Sequence, residues 1–150
     1  MSTRIPKADI LAACIEEQQT LIDNFNQRLD EVNADAYTHQ DSPSQDEETS
    51  ATKQDLISTL EEQLGFVRLE MSILETIDAD DALDQIGRGA VVVTDRRTFF
   101  IGVSSEEVDV NGRKVFGMSE KAPLYGLMKG LRKGDQFSFK DTTYQILDVY

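Results

Sequence analysis

The sequence has a single cysteine, a single histidine, no tryptophan and three prolines among its 150 residues. One Cys excludes an internal disulfide framework and every zinc site built on paired thiolates. With one His as well, an intrinsic metal site would have to be carboxylate-rich, and none is expected. Basic residues are also scarce: 15 Lys and Arg stand against 28 Asp and Glu, for a net charge of -13. That balance excludes a simple phosphate-tracking nucleic-acid binder, and no direct sequence-specific contact with nucleic acid is expected. No apolar run approaches the roughly 20 residues needed to span a bilayer. Leu11-Ala12-Ala13-Cys14 has the form of a lipoprotein cleavage box. However, Lys7 and Asp9 interrupt the apolar stretch of about 7–15 residues that a signal peptide needs, and Glu16 and Glu17 follow at once. Cys14 reads instead as a small apolar residue on a helix face, and the chain reads as cytoplasmic.

What is present is strongly patterned. Residues 1–86 hold 20 acids and 5 bases, whereas residues 87–150 hold 8 acids and 10 bases. Of the nine glycines, all but Gly65 lie from Gly87 onward. These shifts predict three regions: a helical hairpin over 1–77, a linker over 78–88 and a smaller β-rich domain over 89–150. In the first region Leu11, Cys14, Gln18, Leu21, Phe25, Leu29 and Val32 recur at three- and four-residue steps. Leu56, Leu60, Leu64, Val67, Met71 and Leu74 do the same. Each set is the narrow seam of a coiled coil rather than the wide stripe of a globular helix. The polar segment from Asn33 to Thr49 interrupts the pattern, which favours an antiparallel hairpin with its tip near 36–48 over a parallel dimer, so a monomer is expected. Ser42-Pro43-Ser44-Gln45 and Ser44-Gln45-Asp46-Glu47 are two overlapping capping boxes, which predict that the second helix starts at Ser42 or Ser44.

The second region reads as strands. Ala90–Thr94 and Thr98–Val103 flank a turn at Asp95-Arg96-Arg97. Val108–Val110 and Lys114–Phe116 flank Asn111-Gly112, the strongest short hairpin signal. Pro123–Lys129 is a short helix ended by Gly130, and 136–139 and 143–147 close the sheet. Strands, one short helix and more strands make an α+β domain, expected to be antiparallel. Phe99 and Phe100 are adjacent, so one of them should face outward.

Chemistry has two candidate locations. The β domain holds no nucleophile–base pair, because His39 belongs to the tip. Gly130-x-x-x-Gly134 lacks the GKS/T of a phosphate loop, and Asp135 reads as a turn residue. An autonomous enzyme is therefore not expected. At the tip, Asp41, Asp46, Glu47 and Glu48 concentrate carboxylates at the end of a long arm. Acids in a first helical turn are explained by the helix dipole, at about 0.3–1 kcal/mol each. They are equally the hard oxygen ligands that Mg²⁺ takes, one or two at a time, alongside phosphates.

The stretch Met118-Ser119-Glu120-Lys121-Ala122-Pro123-Leu124-Tyr125-Gly126-Leu127-Met128-Lys129-Gly130-Leu131-Arg132-Lys133-Gly134-Asp135-Gln136-Phe137 resembles a signature of the bacterial Gre transcript-cleavage factors. Gly89–Val93 resembles that family's first strand in this domain, and Tyr144–Tyr150 its last. The likeness covers the β domain and is nearest to a short, Bacteroidetes-type branch of GreA/GreB-like proteins. It implies an N-terminal antiparallel coiled coil followed by an FKBP-like domain that docks on the rim of RNA polymerase's secondary channel. The coiled coil enters the channel. Its tip acids help to hold the second catalytic Mg of the polymerase and to orient water for cleavage of backtracked RNA. Carried over, Ala122, Pro123 and Leu124, with Ser119 nearby, occupy the docking loop. Asp46 and Glu48, with Glu47 between them, are the tip acids. No cofactor of the chain's own is implied.

This sequence departs from the family at two places. Gre tips carry Gly-Asp-x-x-Glu-Asn, whereas residues 45–49 read Gln-Asp-Glu-Glu-Thr, with the Asp-to-Glu spacing one shorter. A gapless alignment selects Asp41 and leaves Ser44 at the Glu position. Ala122 stands where the family has Ser. Two outcomes stay open: stimulated cleavage, or occupancy of the channel without cleavage. Two readings of other classes stand beside these. A prolyl isomerase needs an aromatic pocket, and Phe99, Phe100, Phe116, Phe137 and Phe139 fit ordinary sheet positions instead. In an acidic interaction module, the tip acids would be caps only.

Overall fold

A computed structural model describes residues 4–38 and 46–150, with side chains over 4–34 and 52–150. Two long helices come first: α1 (Lys7–Thr38) and α2 (Asp46–Glu75). Then follow β1 (Val91–Thr94), β2 (Thr98–Gly102), β3 (Glu107–Val110), β4 (Arg113–Ser119), α3 (Pro123–Met128), β5 (Gln136–Phe139) and β6 (Thr142–Val149). The chain is an α+β protein. α1 runs on past Asn33, where an interruption was expected, because no Pro or Gly lies between Asn33 and Thr38 and two alanines favour the helix. The start expected for the second helix at Ser42 or Ser44 lies outside the described residues, as do His39 and Asp41.

The chain forms two compact units, Glu17–Met71 and the pair Met1–Glu16 with Ser72–Tyr150. In the first, the two helices run antiparallel. Gln18, early in α1, donates its side-chain amide to the Val67 carbonyl at 2.9 Å and to Glu70 at 3.4 Å, late in α2. Burial pushes the Glu70 carboxyl above the usual carboxylate range, and the Gln18 bond opposes it. The buried seam is Gln18, Ile22 and Leu29 against Leu60, Leu64, Val67 and Met71. On α2 this matches the expected set, except that Leu56 is exposed. On α1 Cys14, Gln18 and Leu29 are buried as expected, but Ile10 and Ile22 are buried in place of Leu11 and the 41%-exposed Leu21, and Phe25 and Val32 are half-buried. Ile10-Leu11 and Leu21-Ile22 are adjacent apolar pairs, so spacing alone permits either frame, and contact with α2 selects one.

The second unit is a six-stranded sheet in the order β3-β4-β2-β1-β6-β5. Every neighbouring pair is antiparallel except β2 with β4, which is parallel. This corrects the all-antiparallel expectation. After β2 the chain passes to the edge as β3, and the hairpin at Asn111-Gly112 returns β4 between β3 and β2. Asn111 and Gly112 both have positive φ, as the tight hairpin turn requires. The turn from Thr94 to Arg97 forms as read, with the Thr94 hydroxyl accepting from the Arg97 amide at 2.9 Å and donating to the Arg97 carbonyl at 2.7 Å.

Both faces of the sheet are covered. On one lie Ile86, Val92, Phe99, Met118, Tyr125, Met128, Phe137 and Ile146. On the other lie Val91, Phe100, Val103 and Val115 with Ile5, Ile10, Cys14 and Leu74. Phe99 and Phe100 are therefore both buried, at 4% and 1% exposure, rather than one inside and one out. The stretch expected as a linker, 78–88, forms no named helix or strand, and its end is tied to the sheet. Ile86 is buried, its amide donates to the Leu131 carbonyl at 2.9 Å, and its carbonyl accepts from Gly130 at 3.0 Å. The ends of both helices join the sheet because Ile10, Cys14 and Leu74 carry the apolar surface that covers its second face.

Polar ties fasten residues 4–9 to this sheet. The Lys7 ammonium, buried, donates to the Asp81 carbonyl at 2.6 Å, and burial lowers its pKa. Tyr150 donates its hydroxyl to the Ile5 carbonyl at 2.7 Å. Arg4 grips Asp148 through two hydrogen bonds of 2.7 and 2.8 Å. The Arg4 bond holds the Asp148 carboxyl below the usual carboxylate range. A depressed folded pKa means stability that is present above the unfolded value and is lost as pH falls through the folded one. Arg4 is half exposed, so screening limits the pair to about 0.5–1 kcal/mol. Arg4→Gln is expected to lower the unfolding temperature at pH 7. The difference from wild type should shrink once the pH drops below about 4, as thermal unfolding at a series of pH values would show.

Candidate functional site

The segment from Ser119 to Met128 is built by short-range bonds. β4 ends at Ser119, whose hydroxyl accepts from the Lys121 amide at 3.1 Å and whose carbonyl accepts from the Ala122 amide at 3.0 Å. Ala122 is extended (φ -68°, ψ 138°) and precedes Pro123 at the first helical position. Its carbonyl accepts from the Tyr125 amide at 3.0 Å. Ala122 offers no side-chain cap, so the Pro, whose fixed φ suits a helix start, sets the geometry. Gly130, at φ 80°, stops the helix in the left-handed conformation that favours glycine.

The helix has an inner and an outer side. Tyr125 and Met128 are buried in the core. Pro123 is exposed, Ala122 and Leu124 are half-buried, and Leu127 is 47% exposed. Ser119, Ala122, Pro123 and Leu124, the residues proposed for docking from the sequence, thus occupy one continuous turn. Leu127, three residues after Leu124, extends the same surface and was not singled out. Its spacing from Leu124 was the available signal. Behind the turn, Arg88 pairs with Glu120. The turn's position is fixed from β4: the Ser119 amide donates to the Ser104 hydroxyl at 3.2 Å, and the Gly117 amide to the Ser105 hydroxyl at 3.0 Å.

This surface carries apolar side chains and the Ser119 hydroxyl. Among the described residues no group of three or more His, Cys, Asp or Glu could hold a metal ion. A cavity of about 110 Å³ lies elsewhere in this unit, lined by Lys7, Thr76, Asp78, Asp81 and Arg88 among others. It falls well short of the roughly 300–1,000 Å³ of ordinary ligand pockets. The aromatic rings considered for a prolyl site pack on one another. Phe137 stacks on Tyr144 at 5.0 Å, and Phe99 meets both Tyr144 and Phe116 at 6.4 Å. Asp135 accepts from the Arg132 amide at 2.9 Å and serves as a turn residue. Asp46, Glu47 and Glu48 open α2, and their side chains lie outside the described residues. No helix among the described residues is long and apolar enough to cross a membrane.

No family model and no curated protein matches the chain. Among solved structures it is similar to the crystal structure of GreA factor homolog 1 (Gfh1) of Thermus thermophilus. That likeness is 15% identity with a TM-score of 0.34, covering 91% of this chain and 94% of that one. It is also similar to a structure described as the transcription factor Gfh1, at 13% identity and a TM-score of 0.35, covering 92% of this chain and 94% of that one.

Proposed function

We propose that the protein is a regulator of the Gre type that binds RNA polymerase through its secondary channel. Two parts share the work. The turn at Ser119, Ala122, Pro123 and Leu124 docks on the rim, and the acidic helical pair enters the channel. The observation that carries this reading is the docking turn. It lies inside the one stretch, 118–137, that resembles the Gre signature. Its outer side is open and apolar, while Tyr125 and Met128 fix its inner side in the core. Charge supports the division of labour. The helical pair is strongly acidic, as a probe of a cation-containing channel needs to be, and residues 87–150 are nearly neutral. The chain is a partner of the polymerase's own chemistry rather than an enzyme, and acts in the cytoplasm.

Asp46 and Glu48, with Glu47, supply carboxylate oxygens at the tip, and any Mg²⁺ they help to hold is the polymerase's. The test is RNA shortening in stalled, backtracked elongation complexes. Wild-type protein is expected to shorten the transcript, and Asp46→Ala with Glu48→Ala to abolish this while polymerase binding persists. The one-residue-shorter spacing of the acids favours a second reading, a modulator that occupies the channel without promoting cleavage. In that case wild type binds and the RNA keeps its length. Changing Asp46, Glu47 and Glu48 to Gln without any effect would reduce these acids to helix caps. Absence of binding to core polymerase ends the proposal.

A further inference from the structure

The seam between α1 and α2 accounts for one side of α2 only. Phe66 is 59% exposed and Leu69 is 65% exposed, more than any other large apolar side chain among the described residues. They stand three residues apart and so share one face. At roughly 100° per residue, Phe66 lies about 130° and Leu69 about 170° from the middle of the Leu64–Val67 seam. Both positions lie away from that seam.

Beside them sits an unusual residue for a helix interior. Gly65 precedes Phe66 and is one turn before Leu69. It destabilises the helix relative to alanine, and no packing among the described residues requires it, because a side-chain carbon there would meet nothing within 4 Å. A glycine beside two exposed apolar side chains makes a shallow notch, with backbone open to close approach by another molecule.

The charge around this notch selects its occupant. Glu61, Glu62 and Glu70 flank it, with Arg68 the one base nearby, and residues 17–71 hold 13 acids against 3 bases. A second copy of the same unit would bring like charges together, which is destabilising. A partner surface with one or two apolar side chains set among Lys or Arg meets both requirements. An aromatic anchor in such a centre, ringed by charge, is the usual form of a binding hot spot.

Resting on the function proposed above, we infer that Phe66, Leu69 and the notch at Gly65 form a lateral contact with RNA polymerase. A basic, apolar-centred protein surface would seat there, apart from the docking turn and the tip acids. The test measures the affinity of labelled protein for purified core polymerase. Phe66→Ser with Leu69→Ser is expected to weaken binding about tenfold or more while leaving the unfolding temperature close to wild type, since both side chains are exposed. Gly65→Gln is expected to weaken binding as well, although it should make the helix more stable. Loss of affinity in a more stable protein separates contact from folding. If wild type binds and both variants bind equally well, the lateral contact is overturned and the Gre-type proposal stands. If wild type does not bind polymerase, both fall. If wild type sediments as a dimer at micromolar concentration and the double variant as a monomer, the occupant is a second copy and the inference is wrong.

Discussion

Replacing Phe100 with alanine is expected to lower the unfolding free energy by about 3–5 kcal/mol. Phe100 is 1% exposed and lies on β2, with β1 on one side and β4 on the other. Its ring fills the layer formed by Ile5, Ile10, Cys14, Leu74, Val91 and Val115. Those neighbours come from the segment before α1, the first turns of α1, the last turn of α2 and two strands. No single element can move in to fill the space. The loss therefore includes a cavity as well as the transfer of the ring to water. At roughly 2–4 °C per kcal/mol for a chain of this size, the midpoint of thermal unfolding should fall by about 10 °C. Chemical denaturation checks the free energy directly. A loss below about 1 kcal/mol would mean that the helix ends do not cover this face of the sheet.

Gly117→Ala should be nearly as damaging, for the opposite reason. A side-chain carbon at Gly117 would lie 2.3 Å from the Val103 carbonyl oxygen, 2.4 Å from the Ser105 hydroxyl and 2.9 Å from the Ser105 amide nitrogen. Two of these three atoms are backbone, so rotation of a side chain cannot relieve the clash. The loop at 103–105 would have to move off β4. That breaks the hydrogen bonds from Gly117 to Ser105 and from the Ser105 amide back to the Gly117 carbonyl, at 3.0 and 3.2 Å. Overpacking of this kind costs about 1–3 kcal/mol, and more where backbone is involved. A functional consequence also follows. Ser119, two residues on, is held by Ser104, so displacement of this loop releases the start of the turn proposed to dock. Gly117→Ala should weaken polymerase binding more than Phe100→Ala does when both are assayed well below their unfolding temperatures. Equal binding by Gly117→Ala and wild type would show that the serine loop does not position the turn.

Much of the local structure was legible because it rests on neighbours in sequence. Asn111-Gly112 dictates its hairpin, Thr94 closes its own turn, and Pro123 and Gly130 bound α3. The seam of α2 could be read because Leu60, Leu64, Val67 and Met71 have no adjacent apolar competitor that fits the same spacing as well. The seam of α1 was legible at Cys14, Gln18 and Leu29 but not around Leu21, since Leu21 and Ile22 satisfy the periodicity equally. The turn at Lys140-Asp141 carries positive φ at two non-glycine residues and has no compositional signal. Of the candidate site, the turn from Ser119 to Leu124 was legible as a motif. The exposure of Phe66 and Leu69 was not, because a sequence does not say which apolar residues stay outside.

By itself the sequence determined the acidic helical pair and the approximate strands and turns. These depend on composition, on three- and four-residue spacing, and on residues whose backbone preferences are intrinsic. Only the tertiary structure decided that β4 pairs in parallel with β2, that the helix ends cover the second face of the sheet so that Phe99 and Phe100 are both buried, and that Gly117 must remain a glycine. Each of these depends on contacts between segments far apart along the chain. Local propensity carries no record of such contacts, because the free energy that selects them comes from apolar surface buried when the segments meet.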